Sequence, residues 1–194
     1  MKGIKGSVLA MAVMAMTGLA QAEAPNLKPG LWEMKVEKSS GGTGMPSGAD
    51  MEKAMKQMQA NMAKLPPEQR KMMEERMGNA GMAFSGNGGM RVCLDQDSIK
   101  RNEIPLNDDK NCKTTIKTQT AKRWAADVVC SQPPSTSQVE ALFESDSTYL
   151  VKMTGQRTGG GKTTSYAMDM RYQYLGSDCK GLKPISQVRP PKAK

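Results

Sequence analysis

The chain has 194 residues, a formal net charge of +9 and no histidine. Without histidine it lacks the commonest general base near neutral pH, which excludes a Ser-His-Asp triad, a Cys–His pair and a His-based zinc site. Its basic residues are scattered and its few aromatics are not interleaved with arginine, which argues against a nucleic-acid groove.

Residues 1–22 read as an export leader. Lys2 and Lys5 form a short positive region, residues 8–20 are apolar and uncharged, and Ala20-Gln21-Ala22 supplies small residues for cleavage after Ala22. Cleavage after Ala24 also fits the small-residue rule, but it would leave Pro25 at the new terminus, a poor context. The apolar run is shorter than the roughly 20 residues that span a bilayer. A mature chain of about 172 residues remains, enough for one domain. Its charge falls to +7 as Lys2 and Lys5 leave. It has no further apolar run long enough to cross a membrane. The periplasm is the expected location.

The first strand is expected at residues 31–38, where Trp32, Met34 and Val36 alternate with Glu33, Lys35 and Glu37. Residues 39–48 are rich in Gly and Ser and read as a loop. A helical insert is expected over residues 50–78. Met51, Met55, Met58, Met62 and Leu65 recur at spacings of four and three, so they share one helix face. Pro66-Pro67 ends that helix and starts a shorter one, whose apolar side is Met72, Met73 and Met77. Gly78 and Gly81 stop it.

The remainder reads as antiparallel strands. Residues 90–94 form a short one, 95–100 a single helical turn, and 107–111 a loop. Residues 112–118 and 123–130 form one hairpin, and 139–143 and 149–153 a second. Residues 163–174 form the longest strand, with Tyr166, Met168, Met170, Tyr172 and Tyr174 on one face. A turn at Gly159-Gly160 would place Met153 opposite Tyr166, Val151 opposite Met168 and Tyr149 opposite Met170. From residue 183 the chain is Pro- and Lys-rich, and residues 183–194 are expected to be disordered. The expected fold is mainly β: one domain over residues 23–182, an antiparallel meander of about seven strands with a Met-rich helical insert after the first. Such a sheet either curls into a partial barrel or takes the helices as a lid.

Cys93, Cys112, Cys130 and Cys179 are even in number, lie in an exported chain and form no close pair. That pattern favours two disulfides over a zinc site or a redox motif. A turn around Ala121 sets Thr118 opposite Trp124, Ile116 opposite Ala126, Thr114 opposite Val128 and Cys112 opposite Cys130. Facing β carbons are close enough for a disulfide after small local twisting. Cys93 then pairs with Cys179.

The stretches Leu27-Lys28-Pro29-Gly30-Leu31-Trp32-Glu33, Leu65-Pro66-Pro67-Glu68-Gln69-Arg70, Cys93-Leu94, Asn111-Cys112-Lys113 and Cys179-Lys180 occur in an order that resembles DUF3617, a family of exported proteins of Gram-negative bacteria. The resemblance covers residues 27–180. It implies an envelope location and four cysteines, and it brings no catalytic residues.

The visible acidic pairs, Asp108-Asp109 and Glu74-Glu75, read as solvated surface charge: neighbours on a helix point apart, and the aspartates fall in a loop. The glycines at 159–161 before Lys162 miss the phosphate-loop register and join two strands. Ten of the 18 methionines lie between Met45 and Met90. Packing is the plainest use of such soft side chains, an adaptable binding surface the next, and a copper(I) site the least supported. Met51, Met55, Met58, Met62, Met72 and Met73 form the candidate apolar binding face. No catalytic residue, cofactor or metal is expected. The expected role is a non-enzymatic periplasmic protein acting in protein interaction or envelope structure. The alternative is a carrier of a small apolar ligand, with the Met-rich helices as lid.

Overall fold

The computed structural model describes residues 23–41, 48–86, 88–101 and 111–188. Residues 1–22, expected as a leader, Asp108-Asp109 and residues 189–194 lie outside the described residues. In chain order the elements are β1 (Gly30–Gly41), α1 (Gly48–Ala63), α2 (Pro67–Asn79), β2 (Met82–Phe84), β3 (Met90–Leu94), α3 (Gln96–Lys100), β4 (Cys112–Gln119), β5 (Arg123–Ser131), β6 (Pro134–Phe143), β7 (Thr148–Gly159), β8 (Lys162–Gly176) and α4 (Ile185–Val188). The fold is mainly antiparallel β, as the alternating patterns predict.

The strands form one open sheet in the order β2-β3-β1-β8-β7-β6-β5-β4. The run from β4 to β8 is a meander, but the whole sheet is not. β1 lies between β3 and β8, because Trp32 pairs with Val92 on one side and Tyr174 on the other. That brings the first and last long strands together. β1 also runs on to Gly41, with Ser39, Ser40 and Gly41 paired to Met168, Ala167 and Tyr166, where a Gly/Ser loop was expected. Backbone pairing there outweighs weak local strand propensity.

Period-two alternation sends one apolar face to the core. Trp32, Trp124, Ala126, Val139, Ala141, Tyr149, Val151 and Tyr172 are all buried in one cluster. Tyr149 stacks on Tyr172 with ring centres 4.4 Å apart, and Trp32 meets Tyr149 at 5.3 Å and Tyr174 at 5.6 Å. Each such ring pair contributes about 0.5–1.5 kcal/mol beyond the area it buries. Burial pushes the Tyr149 hydroxyl well above its usual pKa, with Tyr172 adding to the effect. Elsewhere on the opposite face charges pair across strands, as where Arg171 bonds both Glu37 and Glu144.

Three expectations need correction. The turn between β7 and β8 is Gly160-Gly161, with φ of +57° and +75°, rather than Gly159-Gly160. Both central residues of this turn type need positive φ. The register therefore moves by two: Met153 faces Met168, Val151 faces Met170 and Tyr149 faces Tyr172. A shift of two keeps every side chain on its expected face. In the β4–β5 hairpin a bulge at Lys117 ends the expected register, so Trp124 faces Gln119 and not Thr118. The bulged Lys117 Nζ pairs with the Asp127 carboxylate at 3.1 Å. Finally, residues 183–188 are built into the fold: Ile185 is buried, Val188 packs on the core, and Ser186 Oγ donates to Asp95. Composition masked the three-residue spacing of Ile185 and Val188, which places both on one side of a helical turn.

Candidate functional site

The two long helices form where the methionine spacing predicts them. Met, Lys, Glu, Gln and Ala all favour helix, and Pro67 occupies the first turn of α2, where its missing N–H costs nothing. Their placement differs from the lid that the alternative, ligand-carrier reading requires. Among the described residues neither α1 nor α2 contributes a side chain to the core cluster. α2 has no buried residue and packs beside β2, while α1 lies beside β1. Gln59 of α1 donates to the Ser85 carbonyl, which ties that helix to the β2–β3 turn.

The predicted methionine face therefore separates into parts. Met72 is 64% exposed, and Met58 and Met73 are each 45% exposed. Met55 and Met62 are half-buried, and the side chain of Met51 lies outside the described residues. Core packing, the plainest expectation, does not hold for Met58, Met72 and Met73.

Met62 reaches a cleft of about 540 Å³ between α2, β2 and residues 180–183. Met77, Ala83, Phe84 and Leu182 give it an apolar lining, while Glu74 and Glu75 stand on the helix side and Lys180 and Lys183 on the other. The third wall is fixed by covalent and hydrogen bonds. Cys179 is bonded to Cys93 of β3, with Cα atoms 5.5 Å apart. The Lys183 amide donates to the Gly78 carbonyl at the end of α2, at 3.3 Å. Lys180 pairs with Asp178 at 2.9 Å, and its hydrogen bond holds the Asp178 carboxyl below the usual range. Lys71 pairs with Glu75 one turn along α2, at 4.0 Å.

Both expected disulfides are present, Cys93–Cys179 and Cys112–Cys130. The first frames the cleft, and the second clamps the far hairpin. Of the cleft residues, sequence reasoning singled out Met62 alone as a candidate. Met77 was visible in the helical spacing. Phe84 and Ala83 gave no signal, because three residues are too few to show alternation. Leu182 lies past the last strand, and only the Cys179 bond points to where it sits. Among the described residues no group of three His, Cys, Asp or Glu side chains is placed to hold a metal, and no helix is long and apolar enough to cross a membrane.

A family model described as a protein of unknown function, DUF3617, matches residues 27–179. An uncharacterized protein in the lpd-3 5' region of Pseudomonas putida is 33% identical over 145 residues, covering 74% of this chain and 94% of that protein. No solved structure matches.

Proposed function

The chain belongs to the DUF3617 family, and we propose that it works in the periplasm as a non-enzymatic interaction protein that holds an extended segment of an envelope partner in the cleft beside β2. The observation that carries this reading is the cleft itself. It borders the outermost strand of the sheet, which is three residues long, and its apolar lining lies between an acidic and a basic wall. An edge strand with an adjoining apolar cleft is a common way to receive an extended chain. Met62 and Met77 adapt their shape to the side chains they meet. Glu74 and Glu75 facing Lys180 and Lys183 suit a segment that carries charges of both signs around an apolar residue. Export is supported by the leader pattern in residues 1–22 and by two disulfides, which persist in oxidising compartments.

A photo-crosslinking residue placed at Phe84 in cells tests the proposal, with the same residue at Ile116, on the opposite edge strand, as control. The expected result is a defined adduct from Phe84 and none from Ile116. No adduct from Phe84, or the same adducts from both sites, would contradict it.

A further inference from the structure

The turn of α4 brings the chain back to the edge of the cleft beside β2. Residues 180–183 form the third wall of that cleft, and α4 follows directly. The Val188 amide donates to the Pro184 carbonyl at 3.3 Å, so Val188 lies one helical turn from the wall. Val188 also sits against Gly81, which joins α2 to β2. A β carbon at Gly81 would lie 3.1 Å from Val188 Cγ2 and 3.1 Å from the Lys183 carbonyl oxygen. The Gly81 amide donates to the carbonyl of Gly78, a cleft residue, at 3.0 Å. The chain past Val188 therefore departs from the end of the cleft where α2 meets residues 182–183.

Residues 189–194 read Arg189-Pro190-Pro191-Lys192-Ala193-Lys194. Every charged side chain in that stretch is basic. The helix wall of the cleft carries two exposed carboxylates, Glu74 and Glu75, and the intervening cation Arg76 does not line it. Lys71 reaches Glu75 only at 4.0 Å. On the opposite wall Lys180 is engaged by Asp178 at 2.9 Å, and Lys183 turns a basic segment toward α2. Length fits as well as charge. An extended proline-rich chain rises about 3.1 Å per residue, so Lys192, the fourth residue past Val188, has a reach of about 12 Å. Glu74 stands four residues before Gly78, about 6 Å along the helix axis. The two prolines precede Lys192, and such residues dock readily on apolar grooves with an aromatic in them, as Phe84 supplies here beside Met77 and Leu182. Lacking N–H groups, they cannot extend the β2 ladder.

We infer that residues 189–194 occupy the cleft of their own chain, with Lys192 against Glu74 and Glu75, and that an arriving partner segment displaces them. The displacement rests on the reading of the cleft as a partner site. A short tether holds the segment at a millimolar effective concentration, so weak contacts suffice. The partner's apparent affinity then falls with the fraction of time that the cleft stands open.

The test places the photo-crosslinking residue at Phe84 in the purified mature protein, with no partner added. The expected product is a monomer in which residue 84 is joined to a peptide from 189–194, in a yield that falls as salt rises. Glu74→Lys with Glu75→Lys changes two exposed side chains and is expected to remove most of the adduct from a protein that melts as its parent does. No intrachain adduct, or one untouched by the charge reversal, overturns the docking. An adduct joining two chains gives the cleft to a second copy and overturns it too. In cells, a chain ending at Val188 is expected to raise the partner adduct from Phe84 at least about twofold, as for a cleft occupied half of the time or more. An unchanged partner yield overturns the displacement. An intrachain adduct with no partner adduct from either chain upholds the docking and contradicts the partner reading of the cleft.

Discussion

Gly155 and Tyr166 face each other across the β7–β8 hairpin, and the tyrosine ring occupies the space above the glycine. A β carbon at Gly155 would lie 2.9 Å from Tyr166 Cζ and 2.3 Å from the Thr136 carbonyl oxygen. The Tyr166 hydroxyl pairs with Ser137 at 2.5 Å, so the ring is held over the glycine from the neighbouring strand. The clash with Thr136 is with backbone, which cannot swing aside. Gly155→Val is expected to destabilise the protein by about 1–3 kcal/mol, the usual cost of overpacking. Urea unfolding measures it. Tyr166→Phe should lose about 0.5–1.5 kcal/mol through the hydroxyl alone. A Gly155→Val protein as stable as wild type would show that the ring does not sit there.

The two disulfides should differ in weight and in consequence. Cys93–Cys179 closes a sequence separation of 86, and Cys112–Cys130 one of 18. Chain entropy assigns them about 4.6 and about 3.2 kcal/mol respectively. Replacing Cys93 and Cys179 by alanine is expected to cost more stability, and also to abolish partner crosslinking, because residues 180–183 lose their anchor. Replacing Cys112 and Cys130 should lower stability and leave crosslinking intact. Unfolding curves and the crosslinking yield, read on the same two variants, check both halves.

Asp95 ties α3 to α4. It accepts from the Ser98 amide at 3.0 Å and from the Ser186 hydroxyl. Burial works against its charge, but the hydrogen bonds from Ser186 and Ser98 prevail and hold the carboxyl below its ordinary value of 3.8. A depressed carboxylate pKa stabilises the fold above the ordinary value, and that contribution is lost as pH falls through the depressed one. Stability of the α3–α4 contact should therefore fall on acidification below about pH 4 and be flat across neutral pH. Hydrogen exchange of the Ile185–Val188 amides reads it directly. Asp95→Ala is expected to speed that exchange at pH 7 and to remove this part of the acid dependence.

Met72 and Met73 are exposed helix residues with no role in the core. Changing both to lysine should alter unfolding free energy by no more than about 0.5 kcal/mol, as is usual for surface sites. If they extend the apolar surface that a partner meets, the same change should weaken crosslinking from Phe84. A large loss of stability would mean that these side chains are packed, contrary to their exposure.

Several features could be read from residues alone, and the reasons others could not are physical. The Cys112–Cys130 bond was legible because both strands alternate cleanly back to the cysteines, and the bulge at Lys117 falls on the turn side of them. The hairpin turn was legible only to within one residue, since Gly159, Gly160 and Gly161 all tolerate positive φ. The contact that distinguishes the registers lies away from the turn, where Tyr166 sits over Gly155. The place of β1 between β3 and β8 was hidden, because pairing between strands more than a hundred residues apart leaves no periodic trace. The methionine spacing disclosed a helix face correctly but carried no information on what covers it. The cleft depends on β2 and on Leu182, neither of which has a local pattern.

The claim that an extended partner segment lies beside β2 is tested most directly by hydrogen exchange. The segment recovered from the Phe84 adduct would be synthesised and added to the intact mature protein. New protection is expected in the Met82–Phe84 amides and in the last turn of α2, with the β4–β5 hairpin unchanged. Protection confined to the β4 edge, or none at β2 under saturating segment, would contradict the account.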